Sequence, residues 1–385
     1  MKRFFLGFTL CALALVLLLC SNVHALQAYA SNALDLSSKS AFLMEYDSGQ
    51  TLFAKDENKR LPVASMVKMM TILIALEELD AGNVALDTKI TTTENASSMG
   101  GSQVFIDPFV EYSFEDLLKS VIMASANDAS VALAEYFNGN EKAFTNRMNK
   151  RAAALGMKNT HYANCTGLPA PEQYSTAKDT AILLKEILKH EIYHKFSTIW
   201  MDTLVHPSGR ETELVNTNRL VRYYQGCDGG KTGSTNEAGC CLGASAKRGD
   251  MRLISVVVGA DSSKTRFNES ALLFNYGFGN FESKRIVDCD QSFGEISVSK
   301  GKKESVKVYP KESFSAVVKK GEKTGYETNV DMKKNVCAPL KKGDEVGQVT
   351  VTKDGKVLKK ISIVSGDDAK ALSWFETAHK IMEKW

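Results

Sequence analysis

The chain has 385 residues, of which 44% are apolar and 24% charged, and its formal net charge is +3. This is the composition of a globular protein too long for one ordinary core, so two domains are expected. A balance so near neutrality excludes the basic footprint of a nucleic-acid binder.

The first segment has the form of an export leader. Lys2-Arg3 precedes an apolar run from Phe4 to Leu19, and Ala28-Tyr29-Ala30 fits a small-x-small cleavage site. A signal peptide over 1–30 follows, with the mature chain on the extracytoplasmic face. An uncleaved anchor would need a longer apolar run, and Leu19 is not the small residue a lipoprotein needs before Cys20. The eight cysteines include Cys11 and Cys20 of this leader and leave Cys165, Cys227, Cys240, Cys241, Cys289 and Cys337. Their pairing cannot be read from spacing. Adjacent Cys240 and Cys241 would face opposite sides of a strand, which favours small packing residues over a bridged pair.

Next come a β-hairpin around Tyr46 to Gln50 and a helix from Met66 to Leu79 that is apolar nearly all round and therefore buried. Pro62 suits its start, which puts Ser65 in the first turn and Lys68 one turn on, on the same face. Thr88 to Phe105 reads as a Gly-rich loop with short strands. Helices are expected at Phe114 to Met123, Ala129 to Phe137, Glu141 to Leu155 and Thr176 to His194. Two strands, Cys241 to Ala246 and Met251 to Gly259, are joined by a Lys247-to-Asp250 turn. A helix from Ser263 to Tyr276 closes this part. The order implies an α+β fold, an antiparallel sheet with flanking helices, over 31–282. A Lys-rich stretch of short Val/Ile alternations over 283–365 reads as a small all-β domain. An amphipathic helix over 366–385 carries Trp374, Phe375 and Trp385 and suits an interfacial membrane anchor.

Three short motifs carry the chemistry. They are Ser65-Met66-Val67-Lys68, Ser125-Ala126-Asn127 and Lys231-Thr232-Gly233, each at an element boundary. A serine that attacks a carbonyl needs a base, and a buried lysine near a helix N-terminus is pushed towards the neutral amine that can serve. Ser125 can relay a proton to a leaving amine. Asn127 can hold substrate backbone and Lys68 in register. Lys231 supplies positive charge for an anionic substrate, Thr232 can bond a terminal carboxylate, and Gly233 permits close backbone approach. The backbone N–H groups of Ser65 and Ser234 would form an oxyanion hole. Motifs of these three types together mark penicillin-binding proteins and class A β-lactamases.

The chain thus resembles the low-molecular-mass penicillin-binding proteins, the serine-type D-alanyl-D-alanine carboxypeptidases. The likeness extends to Gly100-Gly101-Ser102-Gln103-Val104-Phe105, Asn164-Cys165-Thr166-Gly167-Leu168, Tyr174-Ser175-Thr176-Ala177, Asn216-Thr217-Asn218 and Ser262 to Phe267. It implies the DD-peptidase/β-lactamase-like fold and peptidoglycan stem peptides ending in D-Ala-D-Ala as substrate. It also implies acylation of the serine by β-lactams, a small β domain and an amphipathic C-terminal anchor. No cofactor or metal is expected. Arg266 is a candidate partner for the substrate carboxylate. Ser234 stands where the family often has Tyr or His, Cys227 where an apolar residue is usual, and Ala126 where Gly is commoner.

The rivals have weaker support. His190-Glu191-Ile192-Tyr193-His194 matches a zinc-protease pattern, with Glu211 or His206 as nominal third ligand, but no Gly-x-x-His extension follows. A β-lactamase of class A would want a Glu-x-x-Leu-Asn run, and there is none. A β-lactam sensor with a dead site conflicts with intact Ser65, Lys68, Ser125, Asn127 and Lys231. Endopeptidase and transpeptidase activity share the acyl-enzyme and stay open.

Overall fold

A computed structural model describes residues 34–322 and 325–382. The expected leader, 1–30, lies outside the described residues, as do the last three residues of the expected anchor. The chain divides into two units, one ending at Gly279 and one beginning at Asn280.

The first unit is built on a five-stranded antiparallel sheet. Its strands are β1 (Ser40–Glu45), β2 (Thr51–Lys55), β3 (Cys227–Thr235), β4 (Gly239–Arg248) and β5 (Met251–Ala260), in the spatial order β2-β1-β5-β4-β3. Side chains alternate across it. One face, with Phe42, Met44, Ile254, Val256 and Val258, packs into the large helical core. On the other face Leu43 and Leu253 meet α6 (Ser263–Asn280), where a Cβ on Gly277 would stand 2.5 Å from Leu253. Both faces are therefore covered, which explains why β5 reads as a continuous apolar run.

The remaining helices enclose α1 (Lys68–Asp80), whose first nine residues are all buried. They are α2 (Phe114–Met123), α3 (Asn127–Asn138), α4 (Glu141–Ala154) and α5 (Ala177–Ile187). Ser113, Asn140 and Thr176 cap the starts of α2, α4 and α5, each accepting a backbone N–H three residues on.

Several boundaries differ from the sequence reading. Ser65 lies not in an α-helix but in a 3-10 turn, Ala64–Val67, and the α-helix begins at Lys68. The expected Thr176-to-His194 helix breaks after Ile187 and resumes over Glu191–Ser197, with His190 as its N-cap. The loop expected over 88–105 holds a short strand, Lys89–Thr91, as anticipated, and also a helical turn, Glu94–Ser97, that was not. The helix after β5 runs four residues further than expected, to Asn280. The described cysteines are all unpaired, with Cys241 buried and Cys240 half-buried on the opposite side of β4.

The second unit is β-rich. It contains β6 (Phe281–Val287), β7 (Glu295–Ser299), β8 (Ser305–Pro310), β9 (Phe314–Lys319), β10 (Tyr326–Met332), β11 (Asn335–Cys337), β12 (Glu345–Lys353) and β13 (Lys356–Ser365). Six form a sheet in the order β10-β12-β13-β8-β7-β11, and β6 pairs with β9. Val308, Val346, Val349, Val351 and Ile363 are fully buried in its core. The final helix is shorter than the sequence implied. α7 spans Trp374–Met382, because Ala369 and Ala371 are bridged to Leu340 and Gly301.

Candidate active site

The site is assembled where the turn before α1, the α2–α3 corner and β3 meet. Ala64 holds φ +49° and Ser125 φ +62°, backbone values that non-glycine residues seldom adopt and that cluster at functional sites. Two glycines make room for the Ser65 turn. A Cβ on Gly167, itself at φ +81°, would overlap the Ala64 carbonyl. A Cβ on Gly233 would stand 2.5 Å from the Val63 carbonyl oxygen and 3.0 Å from the Ser65 nitrogen. Any side chain there would displace the turn that carries the serine hydroxyl.

Lys68 is wholly buried (0% exposed). Its Nζ donates to Ser65 Oγ at 3.0 Å and to the Thr166 carbonyl at 2.5 Å. Burial lowers its pKa to about 7, against a weak upward pull from Cys165 and Asp128. Lys231, 1% exposed, donates to Ser125 Oγ at 2.6 Å and to the Thr232 carbonyl at 3.1 Å. Burial pushes it well below its ordinary value, and the charges of Lys68 and Arg266 push the same way. Both buried amines bond hydroxyls and carbonyls rather than carboxylates, so neither is neutralised by its partners. Arg266 reaches back from α6 and donates to the Gly233 carbonyl at 3.1 Å and Ser234 Oγ at 2.9 Å.

Ser65, Ser125, Thr232, Gly233, Ser234 and Arg266 line one open cleft of about 690 Å³. The three sequence motifs therefore converge. Asn127 departs from its expected contacts. Its Nδ2 donates to the Gly100 carbonyl at 2.6 Å and its backbone N–H to the Ser102 carbonyl at 2.7 Å, with no bond to Lys68. Its Oδ1 is buried without a partner among the described residues, leaving one acceptor for an incoming donor.

Two contributors were not found from the sequence. The Thr166 carbonyl that holds Lys68 is a backbone group, which no residue type announces. Asp128 is buried, and burial raises its carboxyl above the usual range. It accepts the N–H of Val104 at 3.0 Å and of Ile106 at 3.2 Å, fixing the segment next to Gly100-Gly101-Ser102. Its place beside Asn127 was the only available signal. Trp200, Arg219 and Tyr223 also wall the cleft.

The zinc-like motif does not assemble. His190 Nδ1 pairs with Asp80 at 2.6 Å, and His194 Nε2 meets the Leu188 carbonyl at 3.0 Å. His206 Nδ1 is 2.7 Å from the Tyr112 hydroxyl. The pattern fails because His190 caps the helix instead of standing one turn below His194 on it.

Comparison with known proteins gives a consistent result. Residues 27–262 match the D-alanyl-D-alanine carboxypeptidase family, and residues 281–371 match the penicillin-binding protein 5 C-terminal domain. D-alanyl-D-alanine carboxypeptidase DacF of Bacillus subtilis is 41% identical over 348 residues, covering 90% of each chain. D-alanyl-D-alanine carboxypeptidase DacC of Escherichia coli is 34% identical, covering 86% of this chain and 84% of that one. Among solved structures, penicillin binding protein 5 from Haemophilus influenzae has a TM-score of 0.70 at 33% identity. It covers 88% of this chain and 99% of its own.

Proposed function

Because the chain belongs to the D-alanyl-D-alanine carboxypeptidase family, we propose that Ser65 is its nucleophile and Lys68 its general base. The chain is a serine carboxypeptidase of the penicillin-binding type. The family's substrate is the D-Ala-D-Ala end of peptidoglycan peptides, and β-lactam binding characterises the family.

The observation that carries the assignment is the 3.0 Å bond between Lys68 Nζ and Ser65 Oγ, made by an amine whose pKa has fallen to about 7. Neutral Lys68 takes the serine proton as Oγ attacks the carbonyl of the penultimate D-alanine. The N–H groups of Ser65 and Ser234 stabilise the oxyanion, a contribution of about 3 kcal/mol per donor in comparable sites. Lys231 holds Ser125 at 2.6 Å, and Ser125 hands the proton to the leaving amine. Thr232 and Arg266 receive the terminal carboxylate. Asn127 positions the substrate backbone with Gly233. Water then hydrolyses the ester by the reverse relay.

The domain reading completes the proposal. The catalytic domain occupies 31–282, the small β domain 283–365, and 366–385 attaches the exported enzyme to the membrane surface. Trp374, Phe375 and Met382 support that attachment, being 77%, 79% and 70% exposed. Among the described residues no helix is long and apolar enough to cross a membrane.

The test is covalent labelling. Incubation with a β-lactam should add its mass to the peptide that contains Ser65, with or without a chelator. Labelling elsewhere, or labelling abolished by chelation, would reject the assignment.

A further inference from the structure

The Thr166 carbonyl that holds Lys68 follows a residue pinned from three helices. That residue, Cys165, is 0% exposed. Thr71 on α1 donates its hydroxyl to the Cys165 carbonyl at 3.0 Å, and Ser130 on α3 donates to the same oxygen at 2.9 Å. Glu141, the first residue of α4, accepts the Cys165 N–H at 3.1 Å and its thiol at 3.2 Å. Asn164 Oδ1 accepts the next two N–H groups, of Thr166 at 3.2 Å and of Gly167 at 2.7 Å. None of these side chains lines the catalytic cleft.

The two hydroxyls are costly as packing. Thr71 and Ser130 are wholly buried and sit in sequence between core residues, Met70 and Ile72 for the one, Ala129 and Val131 for the other. Val and Ala at these places would avoid the desolvation of an oxygen. A hydroxyl inside a helix ordinarily bonds the carbonyl four residues back, as those of Ser120 and Thr145 do. Thr71 and Ser130 instead reach off their own helices to one shared acceptor. In its neutral form Lys68 Nζ has two N–H bonds and one lone pair. An N–H held on a fixed Thr166 carbonyl restricts rotation of the amine and leaves the lone pair for the Ser65 proton.

We propose that Thr71 and Ser130 are positioning residues for the general base: through Cys165 they fix the Thr166 carbonyl, and that carbonyl aims Lys68 at Ser65. The inference rests on the reading of Ser65 and Lys68 given above. A carbonyl acceptor also favours the charged amine, so a loosened one lets burial lower the pKa of Lys68 further. The titratable groups facing that amine are Asp128 on α3, Lys231 on β3 and the Cys165 thiol with Glu141 beyond it. The substitutions below leave all of them in place.

Thr71→Val exchanges the hydroxyl for a methyl of similar size, Thr71→Ser keeps the hydroxyl, and Ser130→Ala removes the second donor. D-Ala release from diacyl-Lys-D-Ala-D-Ala is followed on the full chain from about pH 5 to 9, with rates referred to the folded fraction from circular dichroism. Thr71→Val and Ser130→Ala should each lower kcat about fivefold with KM within about twofold of the parent. Both should move the acid limb of kcat/KM to lower pH, and Thr71→Ser should keep the parental profile. Parental kcat in Thr71→Val and Ser130→Ala would overturn the proposal. So would an acid limb that stays in place or moves up, or a loss in Thr71→Ser equal to that in Thr71→Val. If Thr71→Val does not fold, Ser130→Ala, which removes a single oxygen, decides alone. Failure of the parent to release D-Ala would instead sink the assignment of Ser65 and Lys68, and this inference with it.

Discussion

Lys68 and Gly233 are the single residues on which the proposed chemistry turns. Burial leaves Lys68 with a pKa of about 7, so its basic form predominates above that pH and is lost below it. The acylation rate should therefore fall about tenfold per pH unit on the acid side of 7, measured as kcat/KM with a D-Ala-D-Ala peptide. Lys68→Arg keeps the charge but fixes the proton, and should lower the rate at least about a hundredfold at every pH. A profile flat through pH 7, or an active Arg variant, would remove Lys68 as base. Gly233→Ala puts a methyl 3.0 Å from the Ser65 nitrogen and should depress acylation far more than thermal stability. That Ser65 meets Lys68 and that Ser125 meets Lys231 was legible in the sequence, because the proposed chemistry needs those side-chain types at fixed spacing. The Thr166 carbonyl was not legible, and neither was the Asn127 bond to Gly100. Both depend on where a backbone oxygen falls in space.

At the scale of elements, helix α1 follows the turn that carries Ser65, and its first nine residues, Lys68 to Leu76, are all buried. Leu73 on it is 0% exposed, and Leu73→Ala should cost about 2–5 kcal/mol in denaturant unfolding. A cost below about 1 kcal/mol would mean that the helix is not the core of the first unit. The apolar pattern revealed this helix because burial on all sides leaves no polar stripe to obscure it. Pattern failed at the chain's end. Residues 367–373 have helical spacing, yet Ala369 and Ala371 form isolated β-bridges with Leu340 and Gly301, since pairing partners distant in sequence outweigh local periodicity. The remaining helix, Trp374–Met382, still presents its aromatics outward. Deleting 373–385 should release the protein from membrane pellets with turnover unchanged. Continued sedimentation of the truncated chain would refute the anchor.

For the whole molecule, the order of hairpin, helices and antiparallel strands indicated an α+β architecture with a β-rich unit after it. It did not indicate the order β2-β1-β5-β4-β3. That order sets the N-terminal hairpin beside β5 and leaves β3 on the sheet's edge, where a substrate strand can approach it. Spatial convergence of three segments 60 and 106 residues apart in sequence steps is what makes the site, and no local signal encodes it. The most direct measurement is free D-Ala released from diacyl-Lys-D-Ala-D-Ala by the purified chain and by Ser65→Ala. The account predicts steady release from the parent and a loss of at least about a thousandfold in the variant. Release from Ser65→Ala at the parental rate would contradict it.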